Sequence, residues 1–173
     1  VLTVGATGTE NSGADAASAA GVGGTASVTF DGATAQTVIG NITAGADDTG
    51  TINVTNDLTI TGNVGLVGAT ADIADLKISD GKSLTITGTV DVVDLTLGSS
   101  TGTGTQAVTF KGATVVINDL ILFHDAANAT RSITFDASNN DISATVAIST
   151  STTDTGDTNN ISFIGGTTNT TTS

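Results

Sequence analysis

The chain has 173 residues, enough for one domain with a real core, and sets 17 acids against 4 basic residues for a net charge of −13. So acidic a chain has no footprint for a phosphate backbone and is repelled by anionic lipid, which excludes nucleic acid and an anionic membrane surface as expected partners. The absence of Cys removes disulfides and thiolate metal sites, and 38% hydrophobic with 12% charged residues is the wrong balance for disorder.

In chain order, Val1-Leu2-Thr3-Val4 reads as a strand, and a small polar stretch follows it. Residues 1–25 are therefore set apart as an N-terminal segment: a cap in which "ADAASAA" makes a short helix, a surface loop, or a strand that is either exchanged with a neighbouring subunit or paired, through residues 1–4, within its own chain as the first rung. From residue 26 to 165 the pattern changes to short alternating runs, apolar on every second position. "VTFDGAT" at 28–34 is the first, a strand closed by turn residues. "DLTITGNV" at 57–64 and "SLTITGTV" at 83–90 place Leu58, Ile60, Leu84 and Ile86 on one face and the intervening threonines on the other. "DLKI" at 75–78 and "DLTL" at 94–97 follow each in turn. "VTFKGAT" at 108–114 nearly repeats the first phrase, with looser copies at Ile133-Thr134-Phe135 and Ile161-Ser162-Phe163, 25 and then 28 residues further on. "GTTNTTTS" at 166–173 reads as a polar tail.

A recurrence in the twenties, with short strands separated by Gly, Asn and Asp, marks a solenoid. Three strands and three turns fill about 25 residues, one rung of a parallel β-helix. The expected fold is thus an all-β parallel β-helix (β-solenoid) over 26–165, with a two-sheet β-sandwich as the alternative. In the β-helix Phe110 and Phe135 stack inside on neighbouring rungs, Val108 lies over Ile133 and Leu58 near Leu84. Counting three such steps from Val28 to Val108 places Phe30 in the same interior ladder. The absence of Pro agrees, because every N–H of a stacked parallel sheet is wanted for the ladder.

Few residues suggest chemistry. His124 is the sole histidine and has no nucleophile set beside it in sequence. Asp72, Asp75, Asp91 and Asp94 fall in adjacent repeats and are expected to cluster. Without Trp or Tyr to stack on sugar rings they read as solvated strand edges rather than a glycan-cleaving groove, so no enzymatic activity is expected. "STTDTGDTNN" at 151–160 gathers Asp154, Asp157, Asn159 and Asn160, and "GADDTG" at 45–50 holds Asp47 and Asp48. Such oxygen-rich loops suit Ca²⁺, which takes six to eight hard ligands, although neither has EF-hand spacing. Asn-x-Ser/Thr triplets begin at Asn41, Asn53, Asn128, Asn160 and Asn169. The Thr-x-Thr pairs at 59/61 and 85/87 resemble the threonine faces of ice-binding solenoids, and outward threonines also suit any β surface. No run of apolar residues is long enough for a membrane-spanning helix. The absence of Met, even at position 1, points to processing from a longer precursor.

The phrases "LTITGNV", "ISDGKSLTITGTV" and "VTFDGAT…VIGNI" resemble the β-strand repeats of bacterial cell-surface proteins: autotransporter passenger domains, rickettsial-type outer-membrane surface antigens, and S-layer or adhesin repeats. That resemblance implies secretion, a right-handed β-helix, and extracellular display at the bacterial surface. The expected role is a structural, self-associating S-layer or filament subunit. The alternative is an adhesin or autotransporter passenger fragment that binds a host, matrix or glycan ligand. It carries no active-site residues.

Overall fold

The computed structural model describes residues 2–4, 26–46, 48–68, 72–124, 128–137, 142–145, 147–150, 156–165 and 169–172. The strands are β1 (Leu2–Val4), β2 (Ser27–Phe30), β3 (Gln36–Val38), β4 (Ile42–Ala44), β5 (Thr49–Val54), β6 (Leu58–Ile60), β7 (Ile73–Ile78) and β8 (Ser83–Ile86). They continue as β9 (Val90–Leu97), β10 (Thr105–Phe110), β11 (Val115–Phe123), β12 (Thr130–Ala137), β13 (Ile142–Thr145), β14 (Ala147–Thr150), β15 (Thr158–Gly165) and β16 (Asn169–Thr172). Among the described residues there is no helix, and every strand pairing is parallel. The chain is a β-solenoid, and the sandwich is excluded because its sheets are antiparallel.

Each rung has three sides. A six-stranded Phe face runs β3-β6-β8-β10-β12-β15, and a six-stranded aliphatic face runs β2-β5-β7-β9-β11-β14. The third, shorter side carries β1 and β4, then the bridges Ile42–Val64 and Val64–Val90, then the pair Val90–Val115. β9 and β11 each turn the corner onto the aliphatic face without a break, β11 shifting register between Ile117 and Leu120. β16 pairs with β13, so the ladder extends into the segment read from sequence as a tail. The "ADAASAA" segment lies outside the described residues.

Alternation decides which residues face in. On the Phe face one inner column is Gln36–Leu58–Leu84–Val108–Ile133–Ile161, with steps of 22, 26, 24, 25 and 28 residues. The next inner column is Val38–Ile60–Ile86–Phe110–Phe135–Phe163. The outward residues between them form a hydroxyl column, Thr37–Thr59–Thr85–Thr109–Thr134–Ser162. The aromatic rings stack at 5.5 Å (Phe110–Phe135) and 5.0 Å (Phe135–Phe163), offset-stacking distances that add to the apolar area already buried. Val108 over Ile133 and Leu58 over Leu84 stand as expected.

Phe30 corrects the sequence expectation. It belongs to the aliphatic face, in the column Phe30–Val54–Ile78–Leu97–Phe123. The 28–34 and 108–114 phrases are therefore three rungs and one side apart. Phe-x-Gly encodes a strand end and a corner, and that local signal serves two different corners equally well.

The corner between the Phe face and the short side is built on a glycine in four successive rungs, followed by Asn in the first two. Gly40, Gly62, Gly88 and Gly112 stack so closely that a Cβ on Gly62 would lie 2.2 Å from Gly40 O, and one on Gly112 2.0 Å from Gly88 O. No side chain fits at Gly62, Gly88 or Gly112, while Gly40, in the first rung, has open space beside it and a φ of 129°. Asn41 Oδ1 accepts from Asn63 N, and Asn63 Oδ1 accepts from Thr89 N, both at 3.0 Å, so the same corner is also tied rung to rung by side-chain amides.

Candidate functional site

Three places on this frame concentrate side chains that packing alone does not require. The first is the corner between the short side and the aliphatic face, where the expected acidic cluster forms. Asp75 and Asp94 are register partners on adjacent rungs. Asn118 donates to Asp72 Oδ2 at 3.2 Å and to Asp91 Oδ1 at 3.0 Å, and so joins three rungs. Asp75 Oδ2 accepts from Thr51 Oγ1 and from Lys77 Nζ, both at 3.1 Å. Burial raises the Asp94 carboxyl above its ordinary range, and the neighbouring Asp119 and Asp75 charges raise it further. The bulge of β11 presents Asn118 and Asp119 at this corner.

That shift predicts a pH dependence. A folded-state pKa above the unfolded one means the native chain binds the Asp94 proton more tightly. The resulting stability is present in acid and is lost as pH rises through the folded value. Asp94→Asn should raise the melting temperature at pH 7 and leave it unchanged near pH 3; equal effects at both pH values would refute the assignment. Asp57 runs the other way. The Ser83 hydroxyl, donating at 2.9 Å, and then the Ser83 N–H hold its carboxyl below the ordinary range.

The second place is a polar seam inside the C-terminal rungs. Gln106, Arg131 and Asn159 form one column, two residues before the aliphatic column Val108–Ile133–Ile161 and facing inward with it. Arg131 is fully buried. Its Nη1 donates to Asp157 Oδ2 at 3.2 Å, while Asp157 Oδ1 accepts from Ala129 N at 3.0 Å. Gln106 Nε2 donates to Asp80 Oδ1 at 3.2 Å, and Asp80 also receives the Ser99 N–H at 3.1 Å and the Ser99 hydroxyl. Sequence reading missed this seam. The signal was present in "TQAVTF", "TRSITF" and "TNNISF", whose alternation turns the second residue inward along with the fourth and sixth.

The expected calcium loops fare differently. Asp154 and Asp47 lie outside the described residues. Asp48 is exposed in a left-handed turn with φ 51°. Asp157 and Asn159 belong to the seam, with both Asp157 oxygens engaged by the chain's own donors. Among the described residues no group of three or more His, Cys, Asp or Glu could hold a metal ion. His124 follows β11 at a corner, where its N–H donates to Leu97 O at 3.1 Å.

The third place is the pair of solenoid ends. Among the described residues β15 and β14 are the outermost strands of their sheets on one side, and β3 and β2 on the other. The stacked rings terminate at Phe163, which is 39% exposed. Beside this ladder Asp136 pairs with Ile164, and one residue past the paired strand ends the same outward position is held by Ile39, Thr61, Thr87 and Lys111, with the Thr61, Thr87 and Lys111 N–H groups donating to Val38 O, Ile60 O and Ile86 O of the rung before. It is polar in all four middle rungs and apolar only at the terminal two, where Ile39 is 88% exposed and Ile164 52%. Among the described residues no helix is long and apolar enough to cross a membrane. No family model matches the chain, and neither does any curated protein or solved structure.

Proposed function

We propose that the chain is a structural, non-enzymatic module of the cell surface, whose solenoid stacks end to end with further copies into a layer or filament. The terminal isoleucines are the observation that carries this reading. An isoleucine at the outward position of a middle rung would sit in water, and those rungs hold Thr, Thr, Lys and Asp instead. A second copy placed β3 on β15 sets Ile39 directly against Ile164, Val38 over Phe163 and Gln36 over Ile161. The two outward isoleucines then cover part of each other's apolar surface, which an isoleucine flanked by the polar residues of a middle rung would not achieve, while Phe163 gains a neighbour inside. Edge strands of a parallel ladder are open to such pairing unless charge, Pro or a covering element blocks them. Unlike ends meeting head to tail give an open polymer unless the rotation closes a ring. Extracellular display is supported by the acidity, the absence of Cys and the resemblance to surface repeats.

Paired cysteines test the contact. Ile39 and Ile164 stand five rungs apart, about 24 Å at the usual ~4.8 Å strand spacing, too far for a disulfide within one molecule. Oxidising the Ile39→Cys/Ile164→Cys double variant should yield a ladder of dimers, trimers and longer species on a non-reducing gel. Each single variant should stop at dimers. A double variant that stays monomeric at high concentration sinks the reading, and isolated rods that bind matrix would favour the adhesin role.

A further inference from the structure

The short side carries one strand too many for simple stacking. From β2 to β16 the chain completes whole rungs, each passing from the aliphatic face to the Phe face to the short side. The first rung is β2, β3 and β4, and the last is β14, β15 and β16. β1 lies outside this count. It pairs in parallel with β4 through Leu2–Ile42, Thr3–Thr43 and Val4–Ala44, on the side of β4 away from Val64, and Leu2 N donates to Asn41 O at 2.8 Å. β1 therefore occupies the level immediately before the first rung.

Continuing the two six-stranded faces into a second copy brings β2 onto β14, β3 onto β15, and hence β4 onto β16. The level against β4 that β1 fills in the single chain is then the level that β16 of the neighbour must take. Both strands run parallel to β4 in this arrangement, since β1 pairs parallel with β4 and β16 parallel with β13. Two strands cannot share one place in a ladder. We propose that β1 is a removable plug: it covers the edge of β4 in the free chain, and stacking of a second copy displaces it, with Asn169–Thr172 of the preceding copy taking its hydrogen bonds. This rests on the end-to-end reading above and adds a control to it, because an occupied edge opposes association until β1 leaves. Leu2, packed on the core, gives the plug its hold, and a contact of three residues is short enough to be exchanged.

A disulfide across the plug tests it. The chain has no native Cys, so a Thr3→Cys/Thr43→Cys variant forms a single defined link between register partners. The oxidised variant should remain unassembled in sedimentation and electron microscopy, and reduction of the same sample should restore stacking. Deleting residues 1–4 should act in the opposite sense, lowering the concentration needed for assembly about tenfold or more. Equal assembly of oxidised and reduced samples overturns the plug. So does a deletion that weakens assembly, which would instead make β1 a contributor to the contact. If the Ile39/Ile164 cross-link still forms a ladder in either case, stacking survives and only the plug falls. If no ladder forms in any variant, both fall.

Discussion

Phe135→Ala should lower the unfolding free energy by about 3–5 kcal/mol, measured by chemical denaturation. The ring is 2% exposed and lies between Phe110 below and Phe163 above, with centroids at 5.5 and 5.0 Å. Truncation removes the ring's own burial and one face of contact from each neighbour. Both flanking rungs are fixed by continuous backbone ladders, so the gap has little room to collapse. Repeat proteins transmit such damage to nearest neighbours, so the loss should fall on the C-terminal rungs first. Hydrogen exchange would then show β12 and β15 losing protection while β5 to β8 keep theirs. Phe163→Ala makes the comparison internal. Its ring is 39% exposed in the single chain, so truncation there should cost clearly less. If copies stack as proposed, the two substitutions should converge in assembled material, because Phe163 would then lie under Val38 of the next copy. A Phe135→Ala loss below about 1 kcal/mol would be incompatible with a packed ladder.

Much of this architecture was legible in the phrases themselves, because a solenoid writes the same local pattern once per rung. "LTITG" at 58–62 and at 84–88 carries an inner Leu and Ile, outward threonines and a corner glycine, and the structure sets the two in register. Side assignment was not legible for Phe30, since Phe-Asp-Gly and Phe-Lys-Gly encode equivalent corners on different sides. The ends were written in the sequence but hidden by their shortness. "VIG" at 38–40 and "FIG" at 163–165 break a column otherwise spelled "ITG", "ITG", "FKG" and "FDA". Only knowing which rungs are terminal turns that difference into a surface. The acidic corner was foreseen as a cluster. Its connection through Asn118 was not, because a bulge inside β11 sets that register and leaves no mark in spacing.

The polar seam leads to the other large effect. Asp157→Ala should destabilise the chain by about 3–5 kcal/mol, toward the lower end because the carboxylate is 12% exposed. The reason is what stays behind. Arg131 is completely buried, and Nη1, bonded to Asp157, is the guanidinium nitrogen with an acidic partner, while Nε and Nη2 have no hydrogen-bond partner among the described atoms. Taking Asp157 away leaves a cation in the core and also removes the acceptor of Ala129 N. Removing both charges together should behave differently. Arg131→Met keeps an unbranched chain of similar length in the inner column, and Asp157→Asn keeps an oxygen for Ala129 N. The double variant should therefore be more stable than Asp157→Ala, and close to or above the parent, as found when buried pairs give way to well-packed apolar groups. Denaturation of the parent and both variants measures this directly. If Asp157→Ala were nearly neutral, the seam would be solvated rather than buried, and the Arg131 column would have to face water. If the double variant were instead the least stable of the three, the pair would be a net source of stability. The Gln106–Arg131–Asn159 column would then hold the last rungs together by charge rather than merely tolerating it.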